Sequence, residues 1–225
     1  MATRSEVARV IDHSLLTPNL DAGVVDEACS HALSWGVASV CVMPCYLPHA
    51  ASILKGSPVV PGTVIGFPHG TQVMSAKLFE ITQALTDGAR ELDMVANISA
   101  VVSEDWDYVY EEIRGALAEV HAHGAKLKVI FENCYLSDLQ KIRLCEICKD
   151  LAVDWVKTST GFGSGGATVK DVTLMVHRVG PDVQVKAAGG IRDLRSLLMF
   201  KSLGCTRIGC SRTGDILKEC EQHHG

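Results

Sequence analysis

Two lysines end short apolar segments of the sequence, and a glycine-containing turn follows each of them. Lys157 belongs to the segment 154–158 and Lys186 to the segment 183–188. A lysine at the end of an apolar strand is costly unless its ammonium group faces a hydrated cavity. These segments are the sixth and seventh of a series, so a barrel would make the two lysines neighbours. The pair indicates a reaction site, and the alternative is two lysines whose stems only line the rim.

A close pair of lysines would change the protonation of both side chains. Two ammonium groups in one cavity lower each other's pKa, and partial burial lowers it further. Lowering a lysine pKa from ~10.4 to ~7 takes about 4 kcal/mol. The resulting neutral amine can attack a carbonyl carbon and form a Schiff base. We therefore predict a lowered pKa for both Lys157 and Lys186.

Two aspartates end other strand segments. Asp93 ends the fourth segment, where a carboxylate could move protons between substrate oxygen, water and carbon. Its alternative is a salt bridge to a lysine inside the barrel, and the two roles are compatible. Asp12, in the first segment, is either a charge partner on the barrel floor or a local cap for Ser14. Cys41, in the second segment, belongs either to the core or to the pocket wall, and we favour the wall.

Glycine-rich turns follow the sixth, seventh and eighth segments. Glycine lets backbone N–H groups approach a phosphate closely, and the helices that begin just beyond add the positive ends of their dipoles. A glycine pair alone is more often only a turn, but three such loops fit the phosphate position of a (β/α)8 barrel. The candidate phosphate-binding residues are Gly161, Gly189, Gly190, Gly209, Ser211 and Arg212.

The elements that position these groups are eight short apolar segments, most of them separated by helical patterns. The segments are 10–13, 39–44, 63–68, 91–95, 127–132, 154–158, 183–188 and 206–211. The helical patterns are 20–34, 75–86, 105–123, 137–149 and 193–202, and the helix after the second strand is less clear because Pro48 and Pro58 interrupt it. Alternating strands and helices predict a parallel sheet.

Eight such units in one chain predict an α/β fold, a single (β/α)8 TIM barrel. We expect one domain over residues 1–225, with a frayed tail from about residue 221 that contains His223 and His224. The structural alternative is an open doubly wound sheet. Such a sheet usually has a glycine-rich turn after its first strand, and the residues 12–15 do not form one.

Composition excludes several classes of protein. The chain has 225 residues and a net charge of −5, without the basic patch expected of a nucleic-acid-binding protein. No apolar run is long enough to cross a membrane, and charges occupy the N-terminal stretch where a signal peptide would be apolar. Nine cysteines without regular spacing indicate reduced thiols in the cytoplasm. Cys145 and Cys148 form one CxxC inside a helical pattern, so we expect no metal site.

The motifs at these positions resemble those of the deoxyribose-phosphate aldolases, which are class I aldolases with a (β/α)8 barrel. The resemblance extends from Ile11 to about Leu217, and the order and spacing of its two lysine motifs are highly specific. The matching motifs are Ile11–Leu16, Ser39–Val42, Val64–Pro68, Glu91–Val95, Leu127–Glu132, Val156–Phe162, Val185–Arg192 and Arg207–Ser211.

The resemblance implies reversible cleavage of 2-deoxy-D-ribose 5-phosphate to acetaldehyde and D-glyceraldehyde 3-phosphate. It implies that Lys157 is the Schiff-base lysine, that Lys186 tunes it, and that Asp93 works in proton transfer. No metal or cofactor is expected, because the iminium ion itself withdraws electrons. The matched motifs also make Ser14 and Thr158 candidates for substrate binding, together with Asp12 and Cys41.

Arg212 departs from the family pattern, because it stands where a small residue is expected after Ser211. It would either strengthen phosphate binding or crowd the site. Ser14 stands where threonine is common and keeps the hydroxyl group. Two alternatives to the leading function remain, namely another Schiff-base aldolase acting on a small sugar phosphate and a barrel that binds sugar phosphate without catalysis. The expected partners are small molecules and, for assembly, a second copy in a homodimer.

Overall fold

Eight parallel strands close into one barrel in the computed structural model, which describes residues 2–222. Each strand pairs with its neighbours in sequence, and β1 also pairs with β8 to complete the ring. The strands are β1 (Ile11–Leu15), β2 (Ser39–Val42), β3 (Val60–Ile65), β4 (Glu91–Val95), β5 (Lys126–Ile130), β6 (Trp155–Lys157), β7 (Gln184–Ala188) and β8 (Arg207–Cys210). The predicted (β/α)8 barrel is therefore confirmed.

Helices connect successive strands, as the parallel sheet requires. They are α1 (Arg4–Ala8), α2 (Ala22–Trp35), α3 (Leu47–Leu54), α4 (Met74–Thr86), α5 (Ile98–Val102), α6 (Trp106–Ala122), α7 (Asp138–Asp150), α8 (Val169–Val179), α9 (Leu194–Ser202) and α10 (Thr213–Gln222). The five helical patterns seen in the sequence correspond to α2, α4, α6, α7 and α9, within a few residues at each end. No helix within residues 2–222 is both long enough and apolar enough to cross a membrane.

Prolines do not prevent a helix after β2, although they obscured it in the sequence. Pro48 lies in the first turn of α3. The N–H groups of a first turn have no acceptor within the helix, so the N–H group that proline lacks is not needed there. The third strand begins earlier than the pattern predicted and ends at Ile65, because Gly66 takes a positive φ of 60°. At the other end of the chain, residues 221 and 222 still belong to α10. The predicted frayed end with His223 and His224 lies outside the described residues.

Strand alternation divides the barrel residues into two sets. Outward-facing apolar side chains such as Leu92, Val129 and Val156 pack with the apolar faces of the helices in one continuous core. Inside the barrel, by contrast, several fully buried side chains carry charge, including Asp12, Lys128 and Lys186 among others. Buried charges are tolerated only when they are paired, so the interior of this barrel is organised by ion pairs.

Candidate active site

Lys157, the last residue of β6, lies beside Lys186 in the middle of β7, and their Cα atoms are partners in the ladder. Both side chains are buried, and both reach the same oxygen of Asp93. Lys157 Nζ lies 2.8 Å from Asp93 Oδ2, and Lys186 Nζ lies 2.7 Å from it. Lys186 Nζ also lies 2.6 Å from Asp12 Oδ2. The structure therefore brings together four of the five charged residues that the sequence singled out, and Arg212 lies apart from them.

Three further charged residues, which the sequence analysis missed, complete this group. Lys128 Nζ lies 2.9 Å from Asp93 Oδ1 and 2.6 Å from Glu91 Oε2. Arg207 binds Glu91 and Asp12 through separate nitrogens, at 2.8 and 2.6 Å. For Glu91 the sequence contained a signal. Glu91 and Asp93 are two residues apart on one strand, so their side chains must face the same side of the sheet. We call the whole group the inner charge cluster; its members are Asp12, Glu91, Asp93, Lys128, Lys157, Lys186 and Arg207.

The pKa values of the two lysines are shifted in opposite directions, and this corrects the expectation that both would be lowered. Burial lowers the pKa of Lys157 most strongly; Asp93 opposes that effect, and the neighbouring charge of Lys186 adds to it. For Lys186, burial also acts against the charge, but Asp12 and Asp93 together outweigh it and raise its pKa. A lysine with two carboxylate partners keeps its proton more firmly than a lysine with one.

The balance of charge in the cluster points to the same assignment. Three carboxylates face four basic groups, so the cluster has no net charge when one basic group is neutral. Lys157 is the member whose deprotonation costs least, because it has a single carboxylate partner. Lys128, Lys157 and Lys186 together hold the pKa of Asp93 well below its usual range, although burial alone would raise it. Asp93 is therefore an ionised acceptor in contact with three lysines.

A cavity of about 510 Å³ opens above the cluster, at the carboxyl ends of the strands. Lys157 is the cluster member that lines it, so the least strongly protonated lysine is the accessible one. The loops after β6 and β7 touch here: the N–H of Ala167 donates to the carbonyl oxygen of Gly189 over 3.1 Å. A Cβ on Gly166 would lie 2.2 Å from that same oxygen, so only glycine fits. The predicted residues that line the cavity are Ser14, Lys157, Gly161, Gly189, Gly190, Gly209 and Ser211.

Comparisons with known proteins agree with this geometry. The family model of the DeoC/LacD family aldolases matches residues 7–206. The chain belongs to this family.

Two curated relatives of this aldolase carry the name deoxyribose-phosphate aldolase. The one from Rhodopirellula baltica is 52% identical over 98% of this chain and 91% of its own. The one from Caldanaerobacter subterraneus subsp. tengcongensis is 45% identical over 95% and 93% of the two chains. A solved structure from Aeropyrum pernix, described as a tetrameric deoxyribose phosphate aldolase, superposes with a TM-score of 0.92 at 28% identity. It covers 99% of this chain and 94% of that one.

Arg212 is the candidate that the structure turns away from the cavity of this aldolase. Its side chain is exposed, and its Nε donates to Asp215 Oδ2 over 2.8 Å within the first turn of α10. The preceding Ser211 lines the cavity, but Arg212 does not. Arg192, which the sequence analysis quoted only as part of a loop, lines the cavity instead. In this structure the arginine that lines the cavity is therefore Arg192 and not Arg212.

Thr158 and Cys41 support the site without lining its cavity. The Thr158 hydroxyl donates to the carbonyl oxygen of Ala188 and accepts from the N–H of Ala188, both over 3.1 Å. It thus ties the end of β6 to β7. Cys41 is buried against Leu16 and Val64, and burial raises its thiol pKa to about 11. Leu16, not Cys41, faces the cavity, so the expectation of a Cys41 wall is not met.

Glu132 is a further residue that the sequence analysis did not assign, although it ends a quoted motif. It adopts a positive φ of 56° just after β5, which is rare for a residue other than glycine. Its buried carboxylate accepts from the N–H of Thr160 over 3.2 Å and also from the Thr160 hydroxyl. Thr160 lines the cavity, so Glu132 fixes the loop that follows Lys157.

Proposed function

We propose that this aldolase reversibly cleaves 2-deoxy-D-ribose 5-phosphate to acetaldehyde and D-glyceraldehyde 3-phosphate, in the catabolism of deoxyribose phosphates. The observation that carries the proposal is Lys157, a buried lysine with a lowered pKa that lines a cavity bordered by glycine turns. The names of the close relatives support the choice of substrate.

The first step is the addition of the neutral Lys157 amine to C1 of the open-chain sugar. Water leaves the carbinolamine, and a protonated imine joins Nζ to C1. This requires an unprotonated amine, which the lowered pKa of Lys157 makes more abundant. Lys186, whose pKa is raised, remains a cation beside it. Lys186 therefore acts as a proton donor to the hydroxyl group that leaves as water.

Cleavage of the C2–C3 bond follows. The electron pair of that bond moves into the iminium ion and leaves an enamine, while C3 becomes the carbonyl carbon of glyceraldehyde 3-phosphate and its hydroxyl loses a proton. Asp93 serves this proton transfer, because an ionised carboxylate in contact with both Lys157 and Lys186 can accept and return protons. Protonation of the enamine at C2 and hydrolysis of the imine then release acetaldehyde and restore Lys157.

The phosphate group binds at the loops after β7 and β8. Gly189, Gly190 and Gly209 border the cavity with Ser211, and the start of α10 contributes the positive end of its dipole. The guanidinium group of Arg192 supplies a full positive charge at the same wall. Three further candidates lie below the cavity and position the strands without contacting the phosphate. They are Asp12, Cys41 and Thr158.

We also propose a single domain over residues 1–225 that works in the cytoplasm as a homodimer. The eight cysteines from Cys29 to Cys210 are free thiols, which suits a reducing compartment. Val73, just before α4, and Phe79, in α4, are 65% and 72% exposed, and apolar surface of this kind supports contact with a second copy. The relative from Aeropyrum pernix is described as tetrameric. Sedimentation equilibrium would distinguish a monomer, a dimer and a tetramer.

The decisive experiment is to incubate the protein with acetaldehyde and borohydride and to locate the adduct by mass spectrometry. We expect one ethyl group on Lys157, none after Lys157→Ala, and loss of cleavage in that variant without loss of fold. Lys170→Ala, at an exposed lysine, is the matched control. A trapped adduct without cleavage of 2-deoxyribose 5-phosphate would indicate a different Schiff-base aldolase. Binding of the sugar phosphate without any adduct would indicate a barrel without catalysis.

A further inference from the structure

His13 is a buried side chain on β1 that takes no part in the proposed chemistry. It follows Asp12 on the strand, so its ring points away from the inner charge cluster and toward the surrounding helices. Its Nδ1 atom lies 2.9 Å from Thr213 Oγ1, in a contact buried on both sides. Those two residues lie at opposite ends of the chain, so this hydrogen bond fastens β1 to α10.

Thr213 is the first residue of α10 and follows directly on the loop that borders the cavity. Ser211, two residues earlier, lines that cavity with Gly209. The Thr213 hydroxyl also lies 3.7 Å from Cys210 Sγ, so it is held between β8 and His13. The first N–H groups of a helix have no acceptor within the helix. The position of Thr213 therefore decides where these groups point relative to the cavity.

Trp35 at the end of α2 completes this contact. Its ring meets the His13 ring edge to face, with centroids 5.5 Å apart and planes at 88°. A Cβ on Gly214 would lie 3.2 Å from Trp35 Cζ2, so the first turn of α10 rests closely on the indole. His13 and Trp35 together form one surface against which α10 begins.

The His13 ring acts here without charge. Burial, with a smaller contribution from His31, lowers the pKa of His13 to about 4. The neutral ring has one donor and one acceptor nitrogen, and it can serve the Thr213 hydroxyl in either sense. Any effect of His13 on an anion in the cavity must therefore come from the position of α10, not from direct attraction.

We propose that His13 is a positioning residue, which holds the start of α10 through Thr213 and thereby sets the affinity for the phosphate group of the substrate. This inference rests on the proposed function, because it assumes that the phosphate binds at the β8–α10 loop. It extends that function by giving a specific role in phosphate recognition to a residue outside the cavity.

The test compares 2-deoxyribose 5-phosphate with unphosphorylated 2-deoxyribose as substrates of the wild type and of His13→Phe. Phenylalanine keeps a flat ring against Trp35 and removes the hydrogen bond. We expect the KM for the phosphorylated sugar to rise about tenfold, the effect of losing one buried hydrogen bond. The kcat for that sugar and the kcat/KM for 2-deoxyribose should stay within about twofold of the wild type.

Thr213 supplies the matched pair of variants, and it keeps the test valid if His13→Phe does not fold. Thr213→Val should reproduce the rise in KM. Thr213→Ser keeps the hydroxyl group and should have the KM of the wild type. The double variant His13→Phe/Thr213→Val should be no worse than either single variant, since both remove one interaction. His31→Gln changes a second imidazole near Trp35, which stacks on the indole ring. It should leave the kinetic constants for both sugars unchanged.

Equal losses on both sugars would overturn the inference, because they would indicate a general defect in the barrel. Unchanged kinetics in Thr213→Val would overturn it as well. A wild type that cleaves 2-deoxyribose 5-phosphate but shows either result contradicts the role of His13 alone. A wild type that does not favour the phosphorylated sugar contradicts the proposed function, and the inference falls with it.

Discussion

The Nζ atoms of Lys157 and Lys186 lie 2.8 and 2.7 Å from one and the same carboxylate oxygen, Oδ2 of Asp93. What separates the two lysines is the second carboxylate, Asp12, which lies 2.6 Å from Lys186 alone. One lysine is therefore held as a cation while the pKa of the other is lowered. A class I aldolase needs this division, because one amine must be a nucleophile while a nearby group supplies protons.

Lys186→Leu should raise the pKa of Lys157. The charge of Lys186 lowers that pKa, and its loss also frees Asp93 to stabilise the protonated form of Lys157. Imine formation at neutral pH should slow by about tenfold for each pKa unit of the shift. The rate of borohydride trapping with acetaldehyde, measured against pH, reports the change. Lys186→Arg keeps the positive charge and is the control. If the pH profile of Lys186→Leu is the same as that of the wild type, Lys186 does not tune Lys157.

Asp93→Asn should separate imine formation from turnover. Asp93 favours the protonated form of Lys157, so its removal should lower the lysine pKa further and leave trapping by borohydride intact. The kcat for cleavage should nevertheless fall by about 10²–10⁴, the usual contribution of a general acid–base group. Single-turnover kinetics together with mass spectrometry would show both effects. Retention of most of the cleavage rate would rule out Asp93 as the proton-transfer group.

Arg192 and Arg212 form a matched pair for mutation, because only the first of them lines the cavity. Arg192 lines the cavity, while Arg212 is bound to Asp215 outside it. Arg192→Gln should raise the KM for 2-deoxyribose 5-phosphate by at least about tenfold, since a hydrogen bond to a charged group contributes about 1.5–3 kcal/mol. Arg212→Gln should change KM less than about twofold. Steady-state kinetics on both variants show which arginine contacts the phosphate. A larger rise in KM for Arg212→Gln than for Arg192→Gln would assign that contact to Arg212.

Acid should destabilise the barrel through its inner carboxylates. Lysine neighbours hold the pKa of Asp93 well below its usual range, and Lys186, Lys128 and Arg207 do the same for Asp12 against the effect of burial. A lowered pKa in the folded state adds stability that is complete above the unfolded pKa of about 3.9 and is lost as the pH falls below it. The melting temperature should therefore be steady near neutral pH and drop below about pH 4. A flat profile down to pH 2 would contradict this.

The sequence was enough to predict the barrel architecture and to single out the candidate reactive residues. Eight apolar segments separated by helical patterns favour a closed parallel barrel over an open sheet, and such a barrel brings the carboxyl ends of all its strands to one side. Lys157 ends β6, while Lys186 and Asp93 lie two residues before the ends of β7 and β4. Closure of the barrel therefore brings these three side chains together. The glycine loops after β6, β7 and β8 were placed at the cavity for the same reason.

The opposite pKa shifts of the two lysines and the directions of the arginine side chains follow from the tertiary structure and not from the sequence pattern. A pKa depends on how many opposite charges lie within a few ångströms, and no spacing in the sequence shows that Asp12 reaches Lys186 but not Lys157. Long side chains likewise choose partners by local geometry, so Arg212 turned to Asp215. The contact of His13 with Thr213 joins the two ends of the chain, and it exists only because β8 closes the barrel against β1.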